Sequence, residues 1–272
     1  MGLQINTNLS AINAYRHLSS TQNAMATSLE RLSSGLRINR AADDAAGLAI
    51  SQKLAAQVTG LDQATSNAQD GISLIQTAEG ALNETQSILQ RMRQLAVQAG
   101  NDTNGTEERD NIGTEMTALT AELDRISDTT QFNKQDLLKT GGFTATLQVG
   151  ANSGQTIDVA INGSDSTTLG VNALDVSDAA NVATSLDAID AAISQVSTDR
   201  AGLGALQNRL QHTVNSLQTA SENASAAESH IQDTDMAKEM TSFTRSQILT
   251  QAGVAMLAQA NSAPQAVLKL LG

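Results

Sequence analysis

Apolar residues recur in steps of three and four along most of the chain, which is the spacing of helices that pack through one seam. This spacing predicts a long helix within residues 5–36 and another within 232–271. The predicted seam of the first is Ala11, Tyr15, Leu18, Gln22, Met25, Leu29, Leu32 and Leu36. The predicted seam of the second is Met236, Met240, Phe243, Gln247, Thr250, Val254 and Leu257.

Three further helices are predicted between these two. Asp43 or Asp44 can cap a helix that runs to about Gln98, where Gly100 and "NDTNG" end it by turn chemistry. A second begins at Thr106. A third spans the heptads from Val182 to Ile231 as one long helix, weakened by two internal glycines that cost about 1 kcal/mol each.

The period changes at about Gly141, where "FTATLQVG" and "TIDVAIN" alternate between apolar and polar residues. We expect a β-hairpin around "ANSGQ", with Phe143, Ala145, Leu147 and Val149 on one face and Ile157, Val159 and Ile161 on another. Ser, Thr, Asn and Gly then dominate up to Leu174, which predicts an outward-facing loop.

The predicted fold is therefore mainly α: an elongated antiparallel helical bundle or coiled coil with paired N- and C-terminal helices and a small β-hairpin. A bundle this thin is expected to offer no pocket. The predicted division is 1–42 (N-terminal helix), 43–140 (two further helices), 141–175 (hairpin and outer loop), 176–231 (a long helix) and 232–272 (C-terminal helix).

The two terminal helices carry more apolar surface than one helix pair can cover. At about 100° per residue, apolar residues of the last helix fall on nearly every side. Other copies of the chain are the most economical cover, and repeated contacts that do not close give a helical filament. The pattern alone leaves open that the ends fold back on their own rod. The candidate assembly residues are Ile5, Leu9, Ile12, Leu18, Met25, Leu29, Phe243, Ile248, Leu249, Val254, Met256, Leu257, Val267, Leu268 and Leu271.

Composition and charge narrow the function. The chain has no Cys or Trp, one Tyr and three Phe, so its core must be thin and aliphatic. A net charge of −12 argues against nucleic acid and against an anionic membrane surface. No apolar run approaches the ~20 residues of a membrane span. The first residues lack the basic start and apolar middle of a cleaved signal peptide.

No constellation of catalytic or metal-binding residues is present in the sequence. His17, His212 and His230 are isolated, without the spacing of a zinc site. Adjacent Asp43 and Asp44 point about 100° apart on a helix, so a cap explains them better than a catalytic carboxylate pair. We therefore expect no enzyme activity, metal or cofactor.

Four stretches closely resemble bacterial flagellin: "LSSGLRINRAADDAAGLAIS", "GISLIQTAEGALNETQSILQRMRQLAVQ", "AAESHIQDTDMAKEM" and "LAQANSAPQAVLKLL". The resemblance covers about 1–140 and 176–272. It implies a structural subunit of the extracellular flagellar filament, used for swimming motility, with no enzymatic role. It also implies that the terminal helices pair as a coiled coil lining the filament's inner tube. On this resemblance, 1–42 and 232–272 are the filament-core helices, and 43–140 and 176–231 form the rod. The family's outer domains are inserted where this chain has only 141–175, so it resembles a minimal flagellin.

The same resemblance implies partners beyond the homopolymer. These are a cytosolic secretion chaperone at the C-terminal helix, the flagellar cap and junction proteins, and export of the unfolded chain through the flagellum's own channel. "QRMRQLAVQ" resembles the surface sensed by vertebrate Toll-like receptor 5, with Arg91, Leu95 and Glu115 as the candidate residues. Gln94 departs from the acidic residue common there. Leu95 lies one step off the predicted seam, and Arg91 could instead simply pair with a Glu on a neighbouring helix.

Two alternatives remain open at this point. A hook–filament junction protein shares flagellin-like ends and would be present as about a single ring in a flagellum rather than thousands of copies. A soluble coiled-coil adaptor would form a stable small oligomer that does not grow into fibres.

Overall fold

The structure, a computed structural model, describes residues 7–271, with side chains for all of them except 179, 180 and 263–271. Five helices form most of it, and two short antiparallel strand pairs follow α3, which confirms the predicted mainly α fold with a hairpin. The elements are α1 (Leu9–Ser34), α2 (Ala45–Ala99), α3 (Thr106–Thr129), β1 (Gln131–Phe132), β2 (Gln135–Asp136), β3 (Phe143–Gln148), β4 (Thr156–Ile161), α4 (Ala179–Gln232) and α5 (Met236–Leu271).

The chain divides into two compact units. Unit 1 comprises Met1–Ala56 and Asn223–Gly272, and unit 2 comprises Gln57–Glu222. The boundaries thus fall inside α2 and α4, whereas the sequence suggested divisions at 42/43 and 231/232. The division into filament-core and rod segments is a functional assignment, and it stays a prediction.

Local capping explains where the helices begin and end. Asn8 Oδ1 accepts a hydrogen bond from the Ala11 amide at 3.1 Å at the start of α1. Gly35 ends that helix with a φ of +75°, a left-handed conformation that glycine adopts without strain. At the start of α2, Asp44 Oδ1 accepts from the Gly47 amide at 2.9 Å. Of the two adjacent aspartates, Asp44 is therefore the cap.

Unit 2 holds the main core, in which α2, α3 and α4 pack with the hairpin. Its largest fully buried side chains include Ile75, Leu82, Leu89, Ile189 and Leu210. Each such side chain stabilises the fold by about 1.5–3 kcal/mol through its removal from water. Helix α4 runs unbroken through Gly202 and Gly204, as predicted.

The hairpin differs from its prediction in one respect. The predicted strands form, but the register pairs Phe143 with Ile161, Ala145 with Val159 and Leu147 with Ile157. Directly paired residues of an antiparallel ladder lie on the same face. The two apolar sets therefore share one face, which packs on the core of unit 2, rather than occupying two.

Two features between α3 and α4 were not predicted from the sequence. Strands β1 and β2 pair through a tight turn in which Asn133 and Lys134 both have positive φ, of 49° and 63°. The polar segment expected to be an outward loop is instead buried at Ser164, Asp165 and Ser166. The side chains of Asp165 and Ser166 are hydrogen-bonded within the unit, as expected for buried polar groups, whereas Ser164 Oγ has no partner among the described residues.

One such bond pair joins that segment to α3. The Ser166 amide donates to Asp124 Oδ1 at 2.8 Å, and Ser166 Oγ lies 3.0 Å from Asp124 Oδ2. The Ser164 amide donates to the Leu138 carbonyl at 2.8 Å. These bonds attach the segment to unit 2, so the expectation of a free surface loop was wrong there.

Candidate assembly surface and receptor-type patch

Helices α1 and α5 of unit 1 form an antiparallel pair, which confirms the predicted pairing of the terminal helices. Asn8 Nδ2 donates to the Ala260 carbonyl at 2.7 Å at one end. Arg31 Nη1 lies 3.8 Å from Glu239 Oε2 towards the other. These two contacts, 23 residues apart on α1 and 21 on α5, fix the register of the pair.

The seam of this pair contains many small residues and agrees with the predicted one only in part. The predicted positions that lie in it are Ala11, Leu18, Met25, Leu32, Phe243, Thr250 and Leu257. The half-buried or buried seam positions of α1 are Ala11, Ala14, Leu18, Thr21, Met25, Ser28 and Leu32. Those of α5 are Phe243, Ser246, Thr250, Gly253, Leu257 and Ala260. The predicted positions Tyr15, Gln22, Leu29, Met236, Met240, Gln247 and Val254 are exposed instead. Two neighbouring stripes with the same period compete on these helices, and close approach of the backbones favours the small one.

The candidate assembly residues consequently fall into separate groups. Leu18, Met25, Phe243 and Leu257 lie partly buried in the seam. Leu9, Ile12, Leu29, Ile248, Leu249, Val254 and Met256 are exposed, and Met256 keeps 66% of its surface. Ile5 lies outside the described residues, as do the side chains of Val267, Leu268 and Leu271.

The exposed apolar residues shape grooves on the helix pair. One groove of about 520 Å³ lies between the two helices and is lined by Ala14 and Leu18 from α1 and by Leu249, Gly253 and Met256 from α5. A second, of about 500 Å³, runs along α5. Large apolar side chains thus surround recesses of the size that a neighbouring side chain can fill.

The segment that joins α1 to α2 is held by its own carboxylate. Asp43 Oδ2 accepts from the amides of Asn39 at 3.1 Å and Arg40 at 3.0 Å. These backbone hydrogen bonds, that from Arg40 first, hold the pKa of Asp43 below its ordinary value of 3.8. Ile38 is buried beneath this turn. Asp43 is therefore a turn-forming residue and not half of a catalytic pair.

The three receptor-type candidates do not form one surface. Arg91 Nε and Nη2 lie 3.0 and 2.7 Å from Glu115 Oε1, so α2 and α3 are joined by an ion pair. Both side chains remain about half exposed. Leu95, however, is 1% exposed and belongs to the core of unit 2, rather than lying off the seam as the heptads suggested. The exposed patch therefore consists of Arg91 and Glu115.

Unit 2 also contains a cleft that the expectation of a pocket-free bundle missed. It has a volume of about 860 Å³ and lies between the β3–β4 turn, α2 and α4. The turn approaches α2 closely, since a Cβ atom added to Gly60 would lie 3.0 Å from the Ala151 Cβ. The hairpin makes one wall of this cleft, and a helical repeat alone gave no sign of it.

Within the described part of the chain, no three acidic or histidine side chains cluster in a way that could hold a metal ion. Among the same residues, no helix is both long and apolar enough to cross a membrane. His17 lines the groove between α1 and α5, and His212 lines the cleft of unit 2, far apart in sequence from each other.

Comparison with known proteins places these features in a family. The model of the bacterial flagellin N-terminal helical region matches residues 5–141, and that of the C-terminal helical region matches 186–271. A flagellin of Halalkalibacterium halodurans is 56% identical over 98% of this chain and 99% of its own length. The chain belongs to the bacterial flagellin family.

Two further relatives agree with membership in the flagellin family. The flagellar filament 33 kDa core protein of Treponema phagedenis is 46% identical, over 98% of this chain and 99% of its own. The crystal structure of Bacillus cereus flagellin is 31% identical with a TM-score of 0.50, over 60% of this chain and 94% of its own. The chain is accordingly a structural subunit of the extracellular flagellar filament, which self-polymerises and is not an enzyme.

Proposed function

We propose that this flagellin polymerises by burying the exposed apolar residues of α1 and α5 against the same helices of neighbouring copies. The observation that carries this proposal is the arrangement of the pair. Leu18, Met25, Phe243 and Leu257 lie in its seam, but Ile248, Leu249 and Met256 lie outside it and each keeps more than half of its surface exposed. Burial of a side chain such as Met256 or Ile248 contributes up to about 1.5–3 kcal/mol. Several of these in every subunit would favour growth strongly.

Two substitutions at each of two positions, one polar and one apolar, test this surface. Ile248→Asn and Met256→Asn should prevent filament growth from seeds, because the neighbouring copy would have to bury an amide without a partner. Ile248→Val and Met256→Leu keep the apolar character and should polymerise. Sedimentation and negative-stain electron microscopy of all four proteins give the answer. If both Asn variants formed filaments at the wild-type critical concentration, the assembly surface would not include Ile248 and Met256.

A flagellar secretion chaperone is proposed to cover the C-terminal helix before export of the unfolded chain through the flagellar channel. The exposed apolar stretch from Met240 to Met256 supports this, since such a surface on a concentrated cytosolic protein invites premature association. Loss of chaperone binding in a pull-down is expected on deletion of residues 232–272 and with Ile248→Asn. Retained binding by both would place the chaperone site outside α5.

The filament's cap and junction proteins are proposed to meet the same helices at the ends of the polymer. A hook–filament junction protein is the rival assignment for the chain itself. A core protein of a flagellar filament among its relatives supports the filament. Thousands of copies are expected per purified flagellum, and a count near a single ring would favour the junction.

Toll-like receptor 5 is proposed to recognise the monomer through Arg91 and Glu115. Their ion pair is half exposed and holds a guanidinium and a carboxylate in fixed relative positions. Leu95 would act only indirectly, through the core beneath the patch. The filament is expected to mask the patch where rod helices pack side by side, so that monomers signal and intact filaments do not.

Arg93 provides a matched control for the receptor proposal. It is two residues from Arg91 and equally exposed, but it pairs with Asp190 of α4 at 2.6 Å. Arg91→Ala and Glu115→Ala should weaken signalling by purified monomer by about tenfold or more, as expected for the loss of a hot-spot residue. Arg93→Ala should leave signalling unchanged. Equal signalling by the Arg91 and Arg93 variants would remove Arg91 from the receptor site.

A further inference from the structure

The cleft of unit 2 combines an apolar floor with polar walls that include one arginine. Leu61 of α2 and Leu217 of α4 lie at its base, while Arg209 and His212 of α4 line its side. No carboxylate is among the residues that line it in the described structure. Arg209 is therefore the one formally charged side chain among the described residues that line the cleft, although the chain has 28 acidic and 16 basic residues.

Arg209 differs from every other arginine that the structure describes in unit 2. The others each have a carboxylate within 4.0 Å: Arg91 with Glu115, Arg93 with Asp190, Arg109 with Asp102, Arg125 with Glu122 and Arg200 with Glu79. No residue in the described part of the chain gives Arg209 such a partner, although its side chain is exposed. An unpaired guanidinium in a cleft is available to an acidic group from another molecule.

Carboxylate side chains without ion-pair partners among the described residues lie at the opposite end of the same unit. Glu107 and Glu108 stand in the first turn of α3, and Asp110 follows them. All three side chains are exposed, and none has an ion-pair partner among the described residues. Helix α2 runs continuously from Leu61 at the cleft to Ala99 beside this turn. At 1.5 Å per residue the two sites are about 60 Å apart, too far to meet within one molecule.

We propose that the acidic start of α3 in one copy enters the cleft of the next copy, where Glu107 and Glu108 pair with Arg209. The proposal rests on self-polymerisation and adds a second, ionic contact to the apolar one on α1 and α5. Because the two surfaces differ and lie at opposite ends of unit 2, the contact is head to tail and does not close on itself. Charge complementarity of this kind mainly fixes orientation and register.

Charge reversal on each side tests the contact. Arg209→Glu alone, and Glu107→Arg with Glu108→Arg alone, should each raise the critical concentration for seeded polymerisation by about tenfold or more through like-charge repulsion. An equimolar mixture of the two proteins should polymerise near the wild-type concentration. Where the two variants alternate along the polymer, every junction joins either two native surfaces or two reversed ones. Lys134→Glu makes the same change of charge outside the cleft and should behave as wild type.

The outcomes separate this proposal from the assembly surface on α1 and α5. If wild type and Ile248→Val polymerise but Arg209→Glu does so equally well, the cleft contact is wrong. Failure of the mixture while each variant retains wild-type helicity by circular dichroism also overturns it. If Ile248→Asn polymerises normally while the charge-reversal variants behave as expected, the apolar surface is wrong and the cleft contact stands.

Discussion

Gly253 of α5 faces Leu18 of α1 so closely that a Cβ atom added to Gly253 would lie 3.3 Å from Leu18 Cδ1. Glycine within a helix costs about 1 kcal/mol relative to alanine. The cost is accepted here because the two backbones approach one another through small side chains. This close contact brings Leu18 into the seam and leaves Val254 and Met256, next to Gly253 on the same helix, exposed.

Gly253→Leu should separate α1 from α5. The added side chain cannot fit in the seam, and overpacking of this kind costs about 1–3 kcal/mol. We expect a lower midpoint for thermal loss of helicity in unit 1 and failure of seeded growth. Ala255→Leu adds a similar side chain at an exposed position of the same helix and should leave the monomer's melting unchanged. Identical melting of both variants would contradict the close seam.

Two other helical glycines should respond oppositely to the same substitution. Gly202→Ala adds a methyl group to open space on α4 and should stabilise unit 2 by about 0.5–1 kcal/mol. At Gly71 of α2, the methyl group would overlap Leu147 of the hairpin. Gly71→Ala should therefore destabilise, because Leu147 has to leave its position on the core. Urea unfolding of the monomers measures both, and a stabilising Gly71→Ala would show that the hairpin does not rest on α2.

Leu95→Ala and Arg91→Ala should be distinguishable by stability alone. Truncation of buried Leu95 should cost about 2–5 kcal/mol of unfolding free energy. Loss of the half-exposed Arg91–Glu115 pair should cost at most about 1 kcal/mol. Denaturant titration of the two purified monomers tests this difference. If Leu95→Ala lowered the free energy of unfolding by less than 1 kcal/mol, Leu95 would not be a core residue.

The turn at Asp43 should respond to acid in a defined direction. Its pKa is lowered in the folded protein by the Arg40 and Asn39 amides, so its stabilising effect is complete above the unfolded value of 3.8. That effect is lost as the pH falls through the lowered folded value. Carboxyl NMR should give a midpoint below 3.8. Asp43→Asn should destabilise the turn at pH 7 but make little difference near pH 2, and an equal effect at both would contradict the role of the charge.

Much of this fold could be predicted because its signals are local. Heptads place all five helices, Asp44 and Gly100 mark the limits of α2, and alternation places β3 and β4. The prediction placed the apolar residues of β3 and β4 on two different faces, which was wrong. Alternation shows which residues of one strand share a face, but it does not show how the two strands pair. Strands β1 and β2, joined by the turn at Asn133 and Lys134, have only two residues each and are too short to show a periodic pattern.

The candidate sites were harder to predict because they depend on which of two adjacent stripes is buried. Hydrophobicity favoured Tyr15, Leu29 and Val254 for the seam, whereas close packing selects Ala14, Ser28 and Gly253. The same ambiguity moved Leu95 from the surface into the core. Arg209 became notable only when the partners of the other arginines were known, and no spacing in the sequence carries that information.

The exposure of Tyr15 outside the seam has a practical use. The chain has no Trp and one Tyr, and that tyrosine keeps 65% of its surface exposed beside Ile12 on the proposed assembly face. The intrinsic ultraviolet emission of the protein therefore arises from this one phenol ring, with the rest of the chain nearly dark. Growth of the polymer can therefore be followed without a label, through quenching and anisotropy of the Tyr15 fluorescence. Because Tyr15 lies in unit 1, this signal reports on the joining of subunits rather than on the folding of unit 2.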